Sequence, residues 1–406
     1  MRGLDKEVQR FDSSEMADPK RILYVHNSAD LYGASRSLAR LLSVLRRDRF
    51  TPVVVLPSTG PLQRLLEQTG TEMVVHPCLT IIERSLLKSW RAPFLPFRFL
   101  ASAIYLRQII RRLRIDLVHT NTGVIPSPAL AARLAGVPHI WHIRDWFQEF
   151  RGAWPPYARY MASFSQRLIA VSESIAAQFP DRRHVTVLHN GFDLNEFAVP
   201  KIALARAFRE RWGIGDAFLV GCVGRIKLVR KGQEVLVQAM ARLCKVVPTA
   251  RCVIVGSVFP DNESHLAELK RLIHDLGMDR QIVFTGEIAD PREVYSALDV
   301  FVLPSAQPEP FGGVVMEAMA MGVPVIASAI GGSVEQVAER QTGFLIPPAN
   351  PEVLSARLEE LFRDPELRSR MAAAGPRRIA GHFALGDKVA ELQRIYDEVI
   401  DASASR

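Results

Sequence analysis

The chain has 406 residues, more than one hydrophobic core usually supports, so two domains of roughly 200 residues each are expected. With 48% apolar and 23% charged residues it has ample material for large cores, which excludes wholesale disorder. Its net charge of +8 is uneven: residues 1–200 hold 26 Lys and Arg against 17 Asp and Glu, while the remainder holds 25 against 26.

Residues 1–19 are polar and mixed in charge, lack the apolar core of a secretory signal, and read as a flexible tail. Met16, just before the strand-like run RILYVH, is an alternative start. From there short Val/Ile/Leu runs alternate with helix-like segments, as in parallel sheets covered on both faces. The first half predicts strands at 21–26, 51–56, 73–75, 117–120, 138–143, 167–171 and 185–188. The second predicts them at 218–223, 250–255, 282–285, 300–303, 324–327 and 343–346. Between the sets, the Asn190-Gly191 turn signal and Pro200 place a boundary near residue 195. The expected class is α/β: a doubly wound domain over 20–195, a second over 196–385, and a helix in 386–406 packing back towards the first. Two such sheets in tandem make a cleft at the carboxyl ends of their strands, where these folds bind ligands.

Within the basic half, residues 84–114 carry eight cations and no acid, interleaved with Leu, Trp, Phe and Ile. Such a stretch suits an anionic membrane surface, and equally suits an ordinary amphipathic helix solvating its arginines. Its most apolar part, Phe94 to Leu106, spans 13 residues including Arg98, short of the about 20 needed to cross a bilayer. No nucleic-acid motif accompanies the charge. The four cysteines, Cys78, Cys222, Cys244 and Cys252, lack metal or redox spacing and read as reduced thiols of a cytoplasmic protein.

Neither G-x-G-x-x-G after a strand, nor a P-loop, nor a D-x-D pair occurs, so no nicotinamide, flavin or metal–nucleotide site is legible and no cofactor is expected. A phosphate-bearing ligand would be neutralised by Arg and Lys. Arg225 and Lys231, in VGRIKLVRKG, lie in a strand-to-helix loop where a planar fork, a mobile point charge and a helix N-terminus converge. The stretch PEPFGGVVMEAMAMG reads as a loop running into a helix closed by Gly322. Amides of Phe311, Gly312 and Gly313 can approach phosphate or sugar oxygens. Glu317, one turn beyond Gly313, can accept both hydroxyls of a ribose, and Glu309 those of a sugar beyond the phosphates.

This run resembles the E-x7-E signature of family 4 of the retaining glycosyltransferases with the GT-B fold, in which two Rossmann-like domains face each other. The resemblance extends from Ile22 onward through YGASRSL, VLHNGFDLNEF, VGRI with KG, IVFTGEI, VFVLPS, PEPFGGVVMEAMAMGVPVIAS, the Gly331-Gly332 pair and TGFLIPP. It implies that Arg225 and Lys231 hold the diphosphate of a UDP- or GDP-hexose, Glu317 its ribose, Glu309 the transferred sugar, and the backbone at Gly286, Glu287 and Ile288 the base. Gly33 resembles the family's glycine-bearing loop on the acceptor side. Where the family carries a histidine near the reacting carbon, the strand reads PHIWHIRDW, with Arg144 at the usual position and His142 two residues earlier on the same face. The implied reaction is metal-independent hexose transfer to a glycan or lipid-linked glycan, with retention and by front-side displacement, since no carboxylate is placed as a nucleophile. A sugar-nucleotide epimerase or hydrolase, or a non-catalytic binding subunit, would use the same donor pocket. The expected location is the cytoplasm, at the inner face of the membrane.

Overall fold

The computed structural model describes residues 18–77, 79–82, 90, 92–147, 150, 152–258 and 263–405. Most of the expected tail, Cys78, and residues 84–89 and 91 of the basic stretch lie outside them. In the first half the strands are β1 (Lys20–Val25), β2 (Phe50–Leu56), β3 (Glu72–Val75), β4 (Leu117–Thr120), β5 (His139–Ile143), β6 (Arg167–Ala170) and β7 (Val185–Val187). In the second they are β8 (Leu219–Val223), β9 (Arg251–Val255), β10 (Ile282–Gly286), β11 (Val300–Leu303), β12 (Val325–Ser328) and β13 (Gly343–Ile346). Each end falls within one residue of the sequence expectation. The inner runs are apolar without alternation because both faces are covered, Ile22 to Val25 and Val53 to Leu56 being wholly buried, whereas the edge strands β3 and β7 are only partly covered.

All the pairings between these strands are parallel, in the orders β3-β2-β1-β4-β5-β6-β7 and β10-β9-β8-β11-β12-β13. Each order reverses once, between β1 and β4 and between β8 and β11. At such a reversal the connecting helices leave on opposite faces and a crevice opens at the carboxyl edge. The segments that emerge there, residues 26–33, 121–126, 224–232 and 304–312, carry most of the candidate site.

The last helix, Leu385–Ala404, returns to the first sheet. Its Leu385, Val389, Leu392, Ile395, Tyr396 and Val399 join one core with Ile22, Tyr24 and Phe50. At about 1.5–3 kcal/mol for each aliphatic or aromatic side chain taken out of water, this face anchors the chain end firmly. The helix Leu95–Arg112 buries Ala103, Leu106, Ile109 and Ile110 and leaves Phe97, Leu100 and Ile104 exposed. Among the described residues no helix is long and apolar enough to cross a membrane.

Candidate functional site

The second half supplies two adjoining loops. After β8, Gly224 and Gly256 adopt φ of +150° and +136°, and a Cβ on Gly256 would meet the Gly224 carbonyl at 2.2 Å, so glycine is required for this approach. Arg225 follows, its guanidinium 3.2 Å from the centroid of the Tyr32 ring in the first half. Lys231 donates from Nζ to Oε1 of Glu309 at 2.6 Å, and Ser305 Oγ donates to the same oxygen at 3.2 Å. Burial opposes ionisation of Glu309, but the charge and hydrogen bond of Lys231 outweigh it and hold the carboxyl below its ordinary range. The Glu309 loop is pressed against Gly331 and Gly332, whose Cβ atoms would meet Glu309 O at 2.2 Å and Pro310 O at 2.6 Å.

Glu317 lies on the helix Gly313–Ala320, almost fully buried. Tyr295 Oη donates to it at 3.0 Å, and Arg40 Nη2 of the first half stands 4.0 Å away. Burial raises its pKa in spite of Arg40 and Arg36. The two carboxylates eight residues apart are therefore in different electrostatic states, one held charged by a lysine and one pushed towards its neutral form.

From the first half, the helix Gly33–Ser43 presents Gly33, Arg36, Ser37 and Arg40 to a cavity of about 140 Å³ between the halves. Arg144, Asn190, Phe311, Gly313 and Glu317 complete its walls. Arg40 is itself held by Glu196, with Nε 2.9 and 3.1 Å from the two carboxylate oxygens, and lies 4.3 Å over the Phe192 ring. Glu335 ties the halves further along, accepting from the Glu173 amide at 2.9 and 3.0 Å and lying 2.7 Å from His189 Nε2.

The structure thus brings Gly33, Arg144, Phe311, Gly313 and Glu317 to one cavity, and Lys231 to Glu309 beside it. Gly312 is buried, its carbonyl accepting from Gln336 Nε2 at 3.0 Å. Gly286 ends β10 and Glu287 and Ile288 follow it, but none of them lines the cavity; Gly286 O accepts from the Gly256 amide at 2.8 Å. His142 is buried beneath Arg144, outside the cavity walls, with its pKa driven far down by burial, Arg144 and His119. Sequence reasoning missed Arg36 and Arg40, although their i, i+4 spacing behind Gly33 marks one helix face. It also missed Asn121 and Tyr295, which carry no sequence signal of their own, and read Asn190 only as part of a turn and of a family motif. Among the described residues no three of His, Cys, Asp and Glu gather to hold a metal ion.

The family described as Glycosyltransferase Family 4 matches residues 32–196, and that described as Glycosyl transferases group 1 matches residues 205–378. The D-inositol 3-phosphate glycosyltransferase of Stackebrandtia nassauensis is 30% identical over 321 residues, 71% of this chain and 69% of that protein. The GDP-mannose-dependent alpha-(1-6)-phosphatidylinositol monomannoside mannosyltransferase of Mycolicibacterium smegmatis is 35% identical over 193 residues, 46% of this chain; the chain spans only 49% of that relative's length. Among solved structures, Anabaena Alr3699/HepE in complex with UDP superposes with a TM-score of 0.78 at 24% identity, covering 93% of this chain and 100% of that one, which is a likeness of fold. With both halves matched in order, and a relative at this identity over more than two thirds of each sequence, the chain belongs to the group 1 glycosyltransferases and has their GT-B fold.

Proposed function

We propose that the protein moves a hexose from a UDP- or GDP-hexose to a hydroxyl of a glycan or lipid-linked glycan, with retention of anomeric configuration and without a metal. Residues 20–195 form the acceptor domain and 196–385 the donor domain, with the segment 386–406 returning to the acceptor domain. The observation that carries this reading is the pairing of Lys231 with Glu309 beside a cavity walled by Glu317 and the Phe311–Gly313 loop. Donor entry parts Lys231 from Glu309 and Arg225 from Tyr32. Arg225 and Lys231 then neutralise the diphosphate, Glu309 turns to the sugar hydroxyls, Glu317 accepts from the ribose, and the backbone at Gly286 to Ile288 meets the base.

Arg144 faces the departing phosphate and steadies its charge, while buried His142 supports Arg144 from below. With no described carboxylate assigned as a nucleophile, the acceptor hydroxyl attacks from the side the phosphate leaves and passes it its proton. Rate enhancement comes from positioning and from preorganised positive charge. The named donors and acceptors of the relatives support a nucleotide-sugar and a phosphorylated or lipid-linked acceptor: GDP-mannose and phosphatidylinositol monomannoside in one, D-inositol 3-phosphate in the other.

Cytoplasmic residence at the inner membrane face fits the basic stretch. Trp90, Phe94, Phe97, Leu100 and Ile104 are all exposed on or beside the helix Leu95–Arg112, and its last turn carries exposed Arg111 and Arg112.

A panel of nucleotide-sugars in a melting assay identifies the donor by the rise in Tm that ligand binding imposes. Turnover with and without acceptor separates transfer from hydrolysis, and NMR of the product reports its anomer. Inversion, or activity abolished by EDTA and restored by magnesium or manganese, would overturn this reading.

A further inference from the structure

Arg144 stands just past the end of β5 and opens onto the cavity, yet no described residue places a negative charge in contact with it. Its Nε donates to Asn121 Oδ1 at 3.1 Å, its Nη1 donates to Asn190 Oδ1, and its Nη2 lies 3.5 Å from His142 Nδ1. All three partners are neutral. Among the described residues no carboxylate oxygen lies within 4.0 Å of the guanidinium. The carboxylate next in sequence, Asp145, acts on Arg144 through space and favours its charge, but its hydrogen bonds come from the Gly123 amide at 2.6 Å and Thr122 Oγ at 3.0 Å, so it makes no ion pair with the guanidinium. Half-buried cations are ordinarily paired, because a charge withdrawn from water without a counter-charge is costly.

The neutral holders are themselves fixed. An arginine only donates, so the oxygen of the Asn121 amide must face it and the nitrogen must face His26, whose Nδ1 lies 3.2 Å away. His26 Nδ1 is then the acceptor, and its Nε2–H donates to Ser35 Oγ at 2.9 Å. Ser35 in turn donates to Asp30 Oδ1 at 3.0 Å, which also receives the Tyr32 amide at 3.0 Å. Asn190 is steadied by Ser37 Oγ at 2.9 Å. Every bond in this chain has one permitted direction, and Asn121 and His26 are wholly buried. Burial pulls Arg144 down to about 10, so it remains protonated at neutral pH.

Resting on the transferase reading above, we propose that Asn121 and Asn190 are positioning residues that aim the Arg144 fork at the cleft through uncharged oxygens, so that the anion of the bound ligand, its diphosphate, supplies the missing counter-charge. An aspartate at either position would satisfy the same hydrogen bond and spend the charge on the protein itself.

The test is Asn121→Asp, nearly isosteric, measured on the full chain by calorimetric titration with UDP and with GDP and by thermal melting. The new carboxylate neutralises Arg144, so affinity for the bound nucleotide falls about ten- to a hundredfold, the worth of one hydrogen bond to a charged group. Its second oxygen replaces the donor to His26 Nδ1, so thermal melting serves to establish that the variant is folded at the temperature of the titration. Asn121→Ser, which keeps a neutral acceptor, retains most of the affinity. Arg144→Gln loses about as much as Asn121→Asp, and the double variant loses no more than either, because both act on one charge. Wild-type affinity in a folded Asn121→Asp protein, or losses that add, would overturn the proposal. Inorganic pyrophosphate is the second probe. Should neither nucleotide bind the wild type, the donor reading falls, and pyrophosphate still decides: binding lost in Asn121→Asp supports the proposal, and binding absent from the wild type or unchanged in the variant refutes it.

Discussion

Replacing Glu317 by Gln separates binding from stability, because the two respond in opposite directions. The carboxylate is almost fully buried, accepts from Tyr295 Oη at 3.0 Å, and has Arg40 at 4.0 Å. Burial, the largest influence on it, raises its pKa above 4.5 despite the two arginines. The folded protein therefore keeps this proton to higher pH than the unfolded chain does. Between 4.5 and the raised native value the unfolded state binds fewer protons, so stability falls as pH rises through that window, and the penalty persists at neutral pH. The amide of Glu317→Gln keeps an oxygen for Tyr295 and removes the titration. Relative to wild type its melting temperature should climb from about pH 4 and stay level or higher up to about pH 8. Donor binding moves the other way. A carboxylate can accept from both ribose hydroxyls, whereas the amide has one oxygen, and a hydrogen bond to a charged group is worth about 1.5–3 kcal/mol, a loss of roughly ten- to 150-fold in affinity for UDP or GDP. Calorimetric titration and melting on the same samples measure both. An unchanged Kd, or a variant that melts lower than wild type at neutral pH, would refute the reasoning.

Glu309→Ala should cut kcat by about a hundredfold or more with donor KM little altered if, as proposed, it removes a contact to the reacting sugar; equal effects on both constants would count against that role. The same variant should flatten the acid limb of the stability curve: Glu309 has a depressed pKa, so its contribution is present above 4.5 and is lost as pH falls through the native value. Gly331→Ala should lower the denaturant midpoint by the equivalent of about 1–3 kcal/mol and impair turnover as well, because its Cβ would meet Glu309 O at 2.2 Å at a φ of +61°; an unchanged midpoint would show that the loop yields freely. Wild-type protein should co-sediment with anionic vesicles at low salt and release as salt rises, while Arg111→Glu/Arg112→Glu and Phe97→Ser each weaken binding, the charges by about 1 kcal/mol apiece. Equal sedimentation of all the proteins would leave that helix face merely solvated.

The inner strands among the thirteen described were legible because a parallel strand covered on both faces must be largely apolar, and short Val/Ile/Leu runs such as Ile22 to Val25 and Val300 to Leu303, set between helix-like segments, suit that place. The two loops at the edge of the second sheet were legible for a different reason. Arg225 with Lys231, and Glu309 with Glu317, each belong to one continuous passage from strand to helix, so their proximity to a sheet edge follows from local order alone. What lies between the halves had no such signal. Arg40 meets Glu196 across 156 residues and Tyr32 covers Arg225 only once the two halves face each other, and within the first sheet Asn121 meets His26 across 95 residues only once β1 and β4 have paired. The pair His142 and Arg144 shows where the boundary runs. Strand alternation puts both on one face, which is readable from the order of residues alone; only the folded sheet shows that β5 ends at Ile143, so that His142 is enclosed while Arg144, one residue past its edge, lines the cavity.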